Sequence, residues 1–302
     1  MATVKRKFGA AGETIPYKGL YIWEAERIID VSTIIPKCRS NHITNIYITF
    51  NLLKGTIEQY RAFIREATRN YIKVHALFGD PKWALPSNVD KGINAIKSII
   101  DFNNAATDYS EKFYGIQFGV EPHGLNGNNG YPNNWNDDRV GTIKGWLDNS
   151  ITWRDYAKSN LIKMSYSILA FLDNTANYPV PTEYASYGQN VNNIVTDIFD
   201  EIILMAYRDT PEDAYNLAVS KIDYAKDKKI IVAFESTQQT PSNITYFDKG
   251  FQAMENAMLK LHQLMKDKPG YKGVAVHAWR QWELFTEPYL TKKAVRKITK
   301  IR

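Results

Sequence analysis

One cysteine, Cys38, stands alone among 302 residues, so no disulfide can form within the chain. No apolar run is long enough to span a membrane, and the N-terminus has basic residues but no apolar stretch of the kind a secretory leader carries. The chain therefore reads as soluble, either cytosolic or the mature form of a secreted or cell-surface protein, with the second favoured. No glycine-rich nucleotide turn follows an early strand, which argues against a doubly wound dinucleotide-binding sheet. No Ser or Cys nucleophile motif is present. His75, Asp80, His123 and His277 fall in no metal-ligand spacing, so neither a metal nor another cofactor is implied. The net charge of +6 gathers at the ends, in Val4-Lys-Arg-Lys7 and in Lys292 to Arg302. With no nucleic-acid motif between them, these runs read as solvated ends and no nucleic-acid partner is expected.

What the chain does have is apolar and aromatic mass. It is 44% hydrophobic and 13% aromatic, with seven Trp and nineteen Tyr. That is enough for one large core, with rings to spare for stacking on flat ligands.

Strand-like runs alternate with helix-like segments after an irregular arm, 1–16. The runs are 19–23, 43–51, 73–79, 113–121, 162–170, 201–207, 229–235 and 273–279. Thr56-Ile-Glu-Gln59 is a capping box opening one helix, and Pro211 suits the first turn of another. A long Asn- and Gly-rich loop, 124–138, follows the fourth run; loops of that length are usually functional or disordered. Eight such units in this length predict a single (β/α)8 barrel filling 1–302.

In such a barrel, ligands meet the C-terminal ends of the strands. Side chains alternate along a strand. On the fourth run, Tyr114, Ile116, Phe118 and Val120 share an apolar face, while Gly115, Gln117, Gly119 and Glu121 share the other. On the seventh, Ile231 and Ala233 share the inner face with Glu235. Two inward carboxylates ringed by aromatics suit glycosidic bond cleavage, one as proton donor and one as nucleophile or counter-charge. Trp23, Trp83, Trp135 and Trp279 are candidate stacking rings. Asn51, Asp80, His123, Tyr207, Arg208, Asp209 and His277 are candidate partners for sugar hydroxyls or for the acids. The oligomeric state is open.

Glu-Pro closing the fourth strand, with Glu closing the seventh, resembles the clan A glycoside hydrolases. The resemblance implies Glu121 as acid/base and Glu235 as nucleophile, with retention. Val120 departs from it, standing where the clan has an Asn. The chain is also similar to family 18 chitinases: Tyr114 to Glu121 sits where they carry Asp-Gly-x-Asp-x-Asp-x-Glu, Met205-Ala-Tyr207 resembles their Met-x-Tyr, and Trp279 their eighth-strand Trp. Gln117 and Gly119 replace the Asp residues that orient the acetamido group, which argues against substrate-assisted catalysis. Taken together, Gly79 to Trp83, Val120 to Pro122, Met205 to Thr210, Phe234 to Ser236 and His277 resemble uncharacterised bacterial glycoside-hydrolase-like barrels. The reading is a glycosidase acting on an oligo- or polysaccharide, with a non-catalytic carbohydrate-binding barrel as the alternative.

Overall fold

The computed structural model describes residues 14–227 and 229–286, and the basic runs 4–7 and 292–302 lie outside them, as does most of the irregular arm. Eight parallel strands close on themselves in chain order. They are β1 (Lys18–Ile22), β2 (Asn45–Thr49), β3 (Lys73–Phe78), β4 (Gly115–Phe118), β5 (Met164–Leu169), β6 (Glu201–Met205), β7 (Lys229–Glu235) and β8 (Tyr271–His277). The barrel shuts where β1 pairs with β8, Lys18 opposite Val274.

Around it run α1 (Val31–Ser40), α2 (Ile57–Arg69), α3 (Val89–Asn104), the short α4 (Asn134–Asp137), α5 (Arg139–Ser159), α6 (Val191–Ile198), α7 (Pro211–Ala225), α8 (Phe251–Met265) and α9 (Trp279–Thr286). α2 starts where its capping box is complete: Thr56 accepts from the Gln59 amide at 3.2 Å, and Gln59 accepts from the Thr56 amide at 2.8 Å. α7 begins with Pro211 after Thr210 caps it. α1 has no counterpart in the sequence reading. Val31, Thr33, Ile34 and Ile35 are β-branched, and Pro36 lies inside the helix. Its burial of Ile34, Ile35 and Cys38 outweighs these poor local preferences. The loop 124–138 is largely irregular and holds α4, with Trp135 buried.

Alternation along the strands sorts the core into two layers. Ile46, Ile48, Ile116, Phe118, Ile202, Leu204, Ile230, Val232 and Phe234 point outward into the helix layer. Tyr17, Tyr21, Tyr47, Leu77, Ile203, Ile231, Ala233 and Ala275 fill the barrel. Each large apolar side chain buried this way contributes roughly 1.5–3 kcal/mol. On the outside, α3 and α5 approach closely at Gly92, where a Cβ would sit 2.4 Å from the Trp153 indole. That indole donates to the Val89 carbonyl at 2.7 Å.

Candidate active site

At the C-terminal mouth of the barrel lies a cavity of about 270 Å3 lined by both inward carboxylates, with Trp23, His123, Tyr207 and His277. β4 ends at Phe118, and the chain runs on through Gly119 and Val120 until Glu121 precedes a turn opened by Pro122. The Gly119 amide still bonds the Phe78 carbonyl at 2.8 Å. The ladder therefore carries the parity of β4 to Glu121 even though the strand proper is shorter than the sequence suggests.

Glu121 keeps 36% of its side-chain surface. Burial pushes its carboxyl above the ordinary carboxylate range, and the charge on Glu235 adds to that rise. His123 Nε2 stands 3.5 Å from Glu121 Oε2. Burial lowers the His123 pKa, so this neighbour is a neutral imidazole and the contact is not an ion pair.

Glu235 is only 2% exposed and fully engaged. Its Oε1 accepts from the Thr237 amide at 2.6 Å and from the Thr237 hydroxyl at 2.7 Å. Its Oε2 meets His277 Nδ1 at 2.8 Å. The next link fixes the proton. Trp23 Nε1 donates to His277 Nε2 at 2.7 Å, and an indole N–H can only donate. Nε2 is therefore the bare nitrogen, and Nδ1 carries the hydrogen that Glu235 accepts. Ser236 locks the ends of β7 and β8 together: its amide bonds the His277 carbonyl at 2.6 Å, and its hydroxyl accepts from the Ala278 amide at 3.0 Å.

Tyr207 lines the same cavity. Burial, then the charges on Glu235 and Glu121, push its phenol up, so it stays a neutral donor. Below the acids, Tyr21 and Ser167 share a hydrogen bond of 2.9 Å, and Gln117 Nε2 donates to Ser167 at 2.7 Å.

Six of the sequence-predicted site residues thus meet in one cavity: Glu121, Glu235, Trp23, His123, Tyr207 and His277. The others lie elsewhere. Asn51 folds its own turn, accepting from the Leu53 amide at 2.9 Å, and Asp80 does the same for Lys82 at 2.8 Å. Arg208 donates to the Tyr207 carbonyl at 2.7 Å, and Asp209 pairs with Lys249 at 2.7 Å. Trp83 packs edge-on against Phe118 and Trp153. Trp135 stacks on Tyr178. Trp279 is fully buried against Trp282, because β8 ends at His277 and the chain enters α9 at Trp279. Strand alternation no longer applies there, and its ring faces the core.

The cavity also takes Tyr21, Gly119, Ser167, Met205, Gln239 and Ile244. The parity of β1 and β5 marks Tyr21 and Ser167; nothing in the sequence marks Gln239 or Ile244, which arrive on the loop after β7. Among the described residues, no group of three or more His, Cys, Asp or Glu side chains could hold a metal ion. No helix among them is long and apolar enough to cross a membrane.

No protein-family model matches the chain, and no curated protein sequence matches it. Solved structures do. A chitinase from Chromobacterium violaceum superposes with a TM-score of 0.54 at 11% identity, over 93% of this chain and 98% of that one. A class V chitinase from Pseudomonas fluorescens gives 0.52 at 12% identity, over 93% and 98%. The chain spans 64% of catalytic domain 2 of the Ostrinia furnacalis Group II chitinase, with 73% of this chain covered, a TM-score of 0.46 and 13% identity. At these identities the likeness is one of fold.

Proposed function

We propose that the protein is a glycoside hydrolase acting on an oligo- or polysaccharide, with Glu121 as acid/base and Glu235 as nucleophile. The observation that carries this reading is the unequal pair at one cavity. Glu121 is held above the ordinary carboxylate range, partly by the charge on Glu235. Glu235 is an acceptor for three hydrogen bonds. Two acids with environments this different divide the work of donor and counter-charge.

In the first step Glu121 gives its proton to the glycosidic oxygen as the bond from that oxygen to the anomeric carbon breaks. Glu235 Oε2 closes on that carbon from the other side. In the second step Glu121 takes a proton from water, the hydroxyl joins the carbon, and Glu235 is released. Trp23, 39% exposed at the rim, offers a ring face to the sugar, and the Tyr207 phenol donates to a hydroxyl. The fold neighbours being chitinases, chito-oligosaccharides belong first in the panel.

The test is turnover of a glycan panel and of aryl glycosides by the protein and its Glu121→Gln and Glu235→Gln forms. Glu121→Gln is expected to cut turnover by about 10²–10⁴-fold, the range for losing an acid/base group, and Glu235→Gln, which removes the nucleophile, by at least as much. Unchanged turnover in either variant refutes the assignment. A second reading, a non-catalytic carbohydrate-binding barrel, is favoured by one observation: the Glu235 side chain is 1% exposed with both oxygens engaged. Saccharide binding by calorimetry with no cleavage product would select it.

A further inference from the structure

The opposite end of the barrel holds a second cavity, of about 260 Å3, at the N-terminal mouth of the strands. It is lined by His75, Tyr114, Lys163, Ser165, Glu201 and Lys272, with Asp200 at the same wall. Neither proposed catalytic carboxylate reaches it, and the proposed hydrolysis makes no use of it.

The charges there are unevenly matched. Glu201 is neutralised by Lys272 and accepts from the Tyr17 hydroxyl at 3.0 Å. Lys163 and Lys73 have no such carboxylate among the described residues. Both converge on one phenol oxygen instead: Lys163 Nζ donates to Tyr114 at 2.7 Å and Lys73 Nζ at 3.3 Å. Both ammoniums also sit over the Tyr114 ring, 4.4 and 4.3 Å from its centroid. Burial raises the Tyr114 pKa, and the hydrogen bonds from Lys163 and Lys73 more than offset it.

The second element is an acceptor. Asn45 Nδ2 donates to Thr44 at 2.8 Å, so its Oδ1 faces His75 Nε2 at 3.3 Å, and that nitrogen must carry the hydrogen. His75 Nδ1 is left bare, with no hydrogen bond among the described residues. Burial brings the His75 pKa down to about 4, so the ring stays neutral. Lys163 on the wall and Lys73 just outside it, joined through the Tyr114 hydroxyl, thus offer two ammoniums to an anion, and His75 offers one imidazole lone pair to a proton.

We propose that this cavity is a binding site for a small oxyanion that still carries a proton, inorganic phosphate being the simplest. Its anionic oxygens face Lys163 and Lys73, and its hydroxyl donates to His75 Nδ1. The carboxylates of Asp200 and Glu201 at the same wall disfavour an anion that has no hydrogen to give.

The probe is inorganic phosphate, titrated into the full chain near neutral pH by calorimetry and phosphorus NMR. Expected is one saturable site in the region of ~1 mM, weakened at least tenfold by Lys163→Gln and by Lys73→Gln, and kept by Lys163→Arg. Sulfate, of similar size but without a proton at this pH, is expected to bind at least tenfold more weakly. Glycerol phosphate, run beside these, separates a monoester from the free ion, and binding of either supports the site. Circular dichroism establishes that each variant is folded. No saturable binding overturns the proposal. So does binding that survives both glutamine substitutions, which would mark general attraction to a basic surface, or sulfate binding as tightly as phosphate.

Discussion

Exchanging Glu235 for Gln attacks a chain of hydrogen bonds whose direction is fixed at both ends. Thr237 presents two donors to Oε1, His277 one to Oε2, and Trp23 one to the far side of His277. Gln keeps a single acceptor oxygen. Held on Thr237, it turns its NH2 against the hydrogen on His277 Nδ1. The imidazole cannot escape by moving that hydrogen to Nε2, where it would meet the indole N–H of Trp23. One buried donor stays unpaired in either arrangement, at about 1–3 kcal/mol, and a charged acceptor is lost as well, so the variant is expected to unfold about 3 kcal/mol more easily. Trp23→Phe alone should cost under about 1 kcal/mol, because Trp23 lies at the rim and His277 Nε2 then accepts from water. In the double variant the imidazole hydrogen is free to move to Nε2, and Nδ1 accepts from the Gln amide. Urea unfolding of the four proteins should therefore show a coupling of about 1–3 kcal/mol, the double being more stable than the sum of the singles. Additivity to within about 0.5 kcal/mol would refute the fixed polarity.

Three further outcomes follow from the same geometry. Glu121→Gln should raise the melting temperature at pH 7. The folded pKa of Glu121 is raised, so its contribution is most favourable below the unfolded carboxylate pKa and is lost as pH climbs through the folded one; the gain from Gln should vanish in scans at or below about pH 4. Gly79→Ala and Gly119→Ala should separate cleanly. A Cβ at Gly79 would lie 2.2 Å from the Gly119 carbonyl oxygen, whereas one at Gly119 meets nothing nearer than Trp23 at 3.8 Å. Thermal denaturation should show the first strongly destabilised and the second nearly unchanged, with saccharide binding weakened in the second. Trp279→Ala should cost about 3–5 kcal/mol in denaturant unfolding as a core truncation, while Trp23→Ala should leave stability within about 1 kcal/mol and abolish most saccharide affinity.

The barrel was legible in the sequence because eight buried strands each state their own period, and because the inward face of β4 is so poor in apolar bulk. The same alternation put Glu121 and Glu235 at one mouth. It failed where a strand stops: Trp279, two residues past His277, already belongs to a helix. Polar residues at other strand ends were misleading for a different reason. Asn51 and Asp80 satisfy backbone amides of their own turns, a use that looks identical in sequence to waiting for a ligand. Gln239 and Ile244 left no trace at all, since they reach the cavity only through the path of the loop after β7. α1 was hidden by Pro36 and four β-branched residues, whose local preference tertiary packing overrode.

The tyrosines inside the barrel have a consequence for how its two ends communicate. Tyr17 and Tyr47 join hydroxyls at 2.5 Å on one side of the axis, Tyr21 reaches across to Ser167 on the other, and Leu77, Ile203 and Ile231 fill the space between. This bulkhead keeps solvent on one side from mixing with solvent on the other. Solutes too large to pass this packed layer leave by the opening through which they came, while the charges of Glu121 at one end and Glu201 at the other both reach the Tyr21 phenol within it.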